Sequence, residues 1–423
     1  MHAVYSAEME PPNARTTTQM TELDEIKPPF SPAKSWSFHN PVRIHFGRDV
    51  RAKLPEEIGN RRCLIVSTQR GRKQFTDDPL LGAIAGAAEH IWLDTVTENP
   101  GLHYLQGEID RLAGKPFDAI IAFGGGSAMD AAKALAIALS DAAAGKSLAD
   151  LLANQDLHKH AQPKPVYAIP TTSGTGSEVT PFATVWDYET KKKHSLAGPA
   201  MFPYAAYVDP ALTDTVPTEV TLSTGLDAIN QAAESIWNKN ATPITLDFAT
   251  RALQLGFAAL PTLVEGTGGA EERDQMSEAS LLAGLAISHT RTALCHAISY
   301  PITAHFGMPH GLACAFTMPA VLRLNLRCDD GRFDDVAARL SSGKSTTGEL
   351  VELFDNLLGQ LGVAALVRQT VNHLESISGL VGEMQTPGRA DNNLAPVDPR
   401  IIQVILNEAW TAGEPSAPAF SCK

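Results

Sequence analysis

The sequence predicts a two-part chain, an α/β half built on parallel strands followed by an all-helical half. Three observations carry this expectation. At about 100–200 residues per domain, 423 residues make two or three domains, each long enough to bury a core. Up to about residue 216, short apolar runs alternate with helix-like stretches, the pattern of strands joined by crossover helices. Beyond Val216-Pro217 apolar residues recur at three-to-four spacing and strand-like runs disappear. The expected division is a tail over 1–35, an α/β domain over 36–216 and a helical domain over 217–423.

Taken in order, the tail contains MEPPNARTTTQ and IKPPFSPAKS and has no apolar core, so it does not read as a secretory signal. Three strands stand out after it: Cys63 to Val66, Ala119 to Phe123 and Val166 to Ile169, each ending in small or polar residues. Such ends are expected to carry ligands, because open α/β sheets bind beyond the carboxyl ends of their strands. In the second half, Thr245 to Leu260 and Glu271 to Ile287 read as helices. Gly266 to Gly269 and Thr386 to Pro399 read as loops, and Glu414 to Lys423 as a loose end.

Composition narrows the class. Hydrophobic residues at 44% and charged residues at 19% suit a folded globular protein rather than a disordered one. With 34 Lys+Arg against 47 Asp+Glu, a net charge of -13 and no long basic run, nucleic acid is not an expected partner. Five cysteines, odd in number and without CxxC spacing, indicate neither a disulfide framework nor a thiolate zinc site. No stretch approaches about 18 uncharged apolar residues. The expectation is a soluble cytoplasmic protein with no membrane partner.

Two strand ends carry chemistry. After the second strand, Gly124-Gly125-Gly126-Ser127 leads into Ala128 to Lys133, a helix start. Glycines let backbone approach an anion, and a helix N-terminus offers unpaired N–H groups with a favourable dipole. A tight strand-to-helix turn would look the same, and the pattern is not GxGxxG. After the third strand, seven of the nine residues from Pro170 to Glu178 are Thr, Ser or Gly, a surface suited to ribose, phosphate or carboxamide. Lys191 to Lys193 can add positive charge.

In the helical half, Asp227 and Gln231 stand four apart, on one face of a helix. His296, His305 and His310 follow. Two imidazoles and a carboxylate make a three-point site for a divalent ion with open positions, although a lone histidine is more often structural.

These motifs, GGGSAMDAAK, IPTTSGTGSE, TGLDA and the His296-to-His310 pair ending in PHG, occur in one order and together resemble the iron-containing (group III) alcohol dehydrogenase family from about Trp36 to Trp410. The resemblance implies a Rossmann-like α/β domain plus an all-α domain, the two-domain design of dehydroquinate synthase. It implies NAD(P)H and a divalent metal, Fe²⁺ or Zn²⁺, as cofactors, a small aldehyde or alcohol as substrate, and a homo-oligomer. Carried over residue by residue, Asn99, Gly124, Gly125, Gly126, Ser127, Asp130, Thr171, Thr172, Thr175 and Lys193 would bind the cofactor. Asp227, His296 and His310 would bind metal, with Gln231, where the family has a histidine, as a fourth and weaker ligand through its amide oxygen. Tyr300 replaces a histidine tied to proton transfer in many members, and His305 is a second candidate relay.

Arg291, in a stretch that is neutral and small in alcohol-selective members, suggests an anionic handle on the substrate, with a salt bridge to a neighbouring acid as the alternative. GSEVTPFATVWD, ESIWN and GRADNN look most like the phosphonoacetaldehyde reductase branch. Val66 to Arg72 has no acid and two arginines, so NADPH is expected to be tolerated. The alternatives are a metal-independent enzyme like maleylacetate reductase, a lyase like dehydroquinate synthase, and a relative that has lost its metal through Gln231.

Overall fold

A computed structural model describes residues 35–86, 90–340, 346–385 and 388–412. Apart from Ser35, the expected tail lies outside these residues, as does the expected loose end. Every residue of β2 (Cys63–Val66), β4 (Ala119–Gly124) and β5 (Val166–Pro170) is buried. Continuous apolar runs of this kind belong to parallel sheets covered on both faces. Alternate residues feed two cores: Leu64, Val66, Ile120 and Ala122 on one face, Cys63, Ile65, Ile121 and Phe123 on the other.

Beyond the three expected strands, β1 (Arg43–Phe46), β3 (Ile91–Leu93) and β8 (Ala205–Val208) complete a six-stranded sheet of order β1-β8-β5-β4-β2-β3. All of its neighbours run parallel. A separate antiparallel pair, β6 (Phe182–Asp187) and β7 (Lys192–Ala197), stands beside it. β1 and β3 escape pattern reading because both lie at sheet edges, one with mostly exposed residues and the other only three residues long. β4 and β5 are adjacent, with Gly124 opposite Pro170, so the glycine turn and the hydroxyl-rich loop leave the same sheet edge side by side.

The helical half begins at Thr218–Ile236, whose residues from Gly225 onward are all buried. The helices Pro243–Glu265 and Ala270–Thr290 pack around it and cover the two segments expected to be helical. Thr242 caps the first with Pro243 at its opening, and Gly266 closes it in the left-handed region. The two halves also touch through backbone: a Cβ on Gly284 would lie 2.7 Å from the Cα of Gly176, a contact only glycines permit. Among the described residues no single helix is long and apolar enough to cross a membrane.

Candidate active site

One cleft runs between the halves. On its α/β side, Gly125 caps the helix Gly126–Ala138, so the first N–H groups of that helix point outward from the end of β4. Gly126 has no room for a side chain, since a Cβ there would sit 2.5 Å from the Thr175 methyl. Ser127 Oγ accepts the Asn99 N–H at 3.1 Å, which fixes Asn99 beside the cradle at φ 54. Asp130 accepts from Ser177 Oγ at 2.6 Å and from the Thr184 N–H at 2.8 Å, tying the hydroxyl-rich loop to the helix and to β6. Behind it the buried Lys133 ammonium donates to the Ser177 carbonyl at 2.9 Å.

Of the hydroxyl loop, Thr175 lines the cleft. Thr171 donates its N–H to the Gly124 carbonyl, and Thr172 packs against Gly125 and borders a separate small cavity. Of the two arginines expected near an adenine ribose, Arg72 is engaged by Asp94 at 2.8 Å and lies over the Trp92 ring.

Across the cleft, helix geometry gathers the residues expected to hold metal. His296 Nε2 is 3.4 Å and His310 Nε2 3.9 Å from Asp227 Oδ1. That oxygen is buried and has no hydrogen-bond partner, and the same holds for Gln231 Oε1. The Gln231 amide donates to the other carboxylate oxygen, Oδ2, at 3.0 Å, so this side chain positions Asp227. Burial works to raise the Asp227 pKa, but the nearby His296 and His310 imidazoles override it and hold the carboxyl below its usual range. Burial, then Lys193, pushes His310 down to about 3, leaving the neutral imidazole that metals take.

The wall beside this cluster is cationic. The Lys193 ammonium lies 4.0 Å from the centroid of the Tyr300 ring, which stacks on His310. Burial disfavours the Tyr300 phenolate, yet Lys193 and Arg389 outweigh it and bring the phenol down to about 8. Arg291 ends the Ala270–Thr290 helix at φ 61, its carbonyl held by Asn238 at 3.2 Å and Thr290 at 3.0 Å. Desolvation, then the charge of Arg389, lowers its pKa. Lys193, Arg291 and Arg389 all line the cleft. Among the described residues, none of the three is ion-paired to a carboxylate. His305 stands apart: its Nε2 meets Glu383 at 3.1 Å, and it does not line the cleft.

Three further residues join the site. Glu234, fully buried, accepts from His296 Nδ1 at 2.7 Å. Its place seven residues after Asp227, on the same helix face, was a readable signal. Arg389 comes from a segment expected to be a loop. There Asn392 donates to the Thr292 carbonyl at 2.9 Å and fastens the loop to the cleft. No local pattern in the sequence announces that contact. Cys314, four residues after His310 on one short helix, lies 3.7 Å from its Nε2.

The family model for iron-containing alcohol dehydrogenase matches residues 41–210, and the C-terminal model of the same family matches 221–408. The probable alcohol dehydrogenase EutG of Escherichia coli (strain K12) is 34% identical over 281 residues, 66% of this chain and 69% of that one. The phosphonoacetaldehyde reductase of Streptomyces viridochromogenes is 36% identical over 250 residues, 58% of this chain and 60% of that one. Among solved structures, the sulfoacetaldehyde reductase of Bifidobacterium kashiwanohense, in complex with NAD+, superposes with a TM-score of 0.79 at 29% identity, covering 90% of this chain and all of that one. With both halves matched by the family's own models and the site's motifs in place along them, the chain belongs to the iron-containing alcohol dehydrogenase family.

Proposed function

We propose that this protein is an NAD(P)H-dependent reductase of short aldehydes that carry an anionic group, such as phosphonoacetaldehyde or sulfoacetaldehyde, and that it works with a divalent metal, Fe²⁺ or Zn²⁺. The observation that carries the reading is the convergence of Lys193, Arg291 and Arg389 on one cleft wall beside Asp227, His296 and His310. Cations left without carboxylates at a cleft wall bind anions, and guanidinium groups take phosphonate or sulfonate by paired hydrogen bonds. Two of the similar proteins are named for two-carbon aldehydes ending in such a group.

The metal fits these residues: a carboxylate oxygen without a partner faces two imidazoles in a buried pocket, a donor set suited to a borderline divalent ion. An ion held there supplies Lewis acidity toward a carbonyl oxygen, and the nicotinamide supplies the hydride. The chain's own contribution is positioning. The N–H groups at the opening of the Gly126–Ala138 helix hold the cofactor's pyrophosphate. Asn99, Ser127 and Thr175 line its path, and Lys193 faces it from β7. Gln231 and Glu234 hold Asp227 and His296 in place. Arg291 and Arg389 bind and orient the anionic end of the substrate, and Tyr300 holds a proton at its Oη on the cleft wall.

The test is a screen of NADH and NADPH oxidation with phosphonoacetaldehyde, sulfoacetaldehyde, succinic semialdehyde, lactaldehyde and butyraldehyde, with Fe²⁺ or Zn²⁺ added or withheld. The expected result is the highest kcat/KM on an anionic aldehyde and dependence on an added ion. A preference for butyraldehyde, or turnover without net cofactor oxidation, overturns it.

A further inference from the structure

We infer that Cys314 is a ligand of the metal centre, so that this chain holds its ion with a carboxylate, two imidazoles and a thiolate. The inference rests on the metal-dependent reading above. It departs from the expectation drawn from cysteine spacing alone, because a single thiolate contributed to a mixed site needs no CxxC pair.

Three of the donor separations have the lengths of a tetrahedral shell, and ion binding would turn the His310 ring off the sulfur, which lies 3.8 Å from its Nδ1 as well. With bonds of about 2.0–2.1 Å to nitrogen or oxygen and about 2.3 Å to sulfur, the edges between ligand atoms fall at roughly 3.3–3.7 Å. The corresponding separations here are 3.4 Å from His296 to Asp227, 3.9 Å from His310 to Asp227 and 3.7 Å from Cys314 to His310. All four donor atoms lie within 4.8 Å of one another. One of the two buried polar atoms left without a partner here, Asp227 Oδ1, belongs to this set, and its residue is 4% exposed.

Gln231 is the weaker candidate for this place: its Oε1 is also buried without a partner, but an amide oxygen is a weak donor beside a thiolate, and its N–H holds Asp227 Oδ2. Cys314 is delivered by helical spacing, one turn after His310 on the same face. The side of approach also suits catalysis. Asp227, His296 and His310 line the cleft, whereas Cys314 does not. The thiol therefore caps the ion from the protein interior and leaves the cleft side open to a substrate. Zinc accepts a fifth ligand in that way. A soft donor in the set shifts preference toward zinc and cobalt over iron, and a bound ion deprotonates the thiol outright.

The test uses the full-length protein loaded with zinc, read by X-ray absorption, and with cobalt, read by electronic absorption. The expected result is one sulfur at about 2.3 Å from zinc and a thiolate-to-cobalt charge-transfer band that disappears in Cys314→Ser. Zinc affinity in that variant should fall by more than the about 10–100-fold that losing an outer-shell partner costs. A wild-type zinc shell of nitrogen and oxygen alone, or a cobalt band that survives in Cys314→Ser, overturns this inference and leaves the metal reading standing. A wild-type protein that binds neither ion overturns both. The wild-type measurement needs no variant to fold, and Cys314→Ala gives a second check on the band.

Discussion

Glu234 Oε2 lies 2.7 Å from Nδ1 of His296, and the same carboxylate accepts the backbone N–H groups of Ala293 at 2.7 Å and His296 at 3.1 Å. One buried acid thus fixes both the ring and the start of the helix that carries it, turning Nε2 toward Asp227. Outer partners of this kind set the orientation and basicity of a ligand. Glu234→Gln should weaken zinc binding by about 10–100-fold, read by competition with a chromophoric chelator. Unchanged affinity would show that His296 needs no such support.

Arg291 and Arg389 reach the cleft from segments about a hundred residues apart, one closing a long helix and the other from the segment after residue 387. Each charge-assisted contact to an anion is worth about 1.5–3 kcal/mol, or roughly 10- to 150-fold. Arg389→Ala and Arg291→Ala should each raise KM for an anionic aldehyde by about that factor while leaving butyraldehyde nearly untouched. Equal losses on both substrates would remove the anion-binding role and leave only a packing one.

Tyr300 and His305 were equal candidates on sequence grounds, and the helix Leu294–Phe306 separates them. Tyr300 lines the cleft under Lys193, while His305 meets Glu383 outside it. Tyr300→Phe keeps the ring packed on His310 and removes only the hydroxyl. A positioned proton donor contributes about 10²–10⁴-fold, so kcat should fall within that range with a smaller change in KM, whereas His305→Ala should leave kcat nearly unaltered. The reverse pattern in steady-state kinetics would transfer the proton role to His305.

How far the sequence could be read follows from where each residue's constraint is local. β2, β4 and β5 are legible because a strand buried on both faces must be apolar throughout. Asp227, His296 and His310 are legible from motif order, and Glu234 and Cys314 from helical spacing once a ligand is assumed on the same helix. Arg389 is not, because its place depends on Asn392 reaching Thr292 across about a hundred residues of chain. Nor is the limit on Gly176 and Gly284, whose closeness is a property of how the two halves meet.

That contact makes its own prediction. Gly284 is inside the helix Ala270–Thr290, where replacement by Ala normally gains about 1 kcal/mol in helix propensity. Here the new methyl would lie 2.7 Å from Gly176 Cα and 2.9 Å from a Val179 methyl. Gly284→Ala should therefore lower Tm instead of raising it, and should raise the Kd for NAD(P)H by displacing the Thr175-containing loop. A higher Tm with unchanged cofactor affinity would mean that the halves have slack at this point.

Glu178, in the same loop, is buried, and desolvation lifts its carboxyl to about 7 against the opposing effects of a backbone hydrogen bond and the Lys133 charge. An acid whose folded pKa lies above its unfolded value binds a proton in the folded state that the unfolded chain has already released. Between about 4.5 and about 7 the native form holds more protons, so its stability falls as pH rises through that window and levels off above it. At 1.36 kcal/mol per pH unit, the ceiling on this effect is on the order of 3 kcal/mol. Glu178→Gln has no proton to lose. Urea unfolding at pH 5, 6, 7 and 8 should show the wild type losing stability relative to the variant from pH 5 to 7 and running parallel to it above. Parallel profiles across the whole range would mean that Glu178 is charged throughout and that Lys133 meets it as a full ion pair.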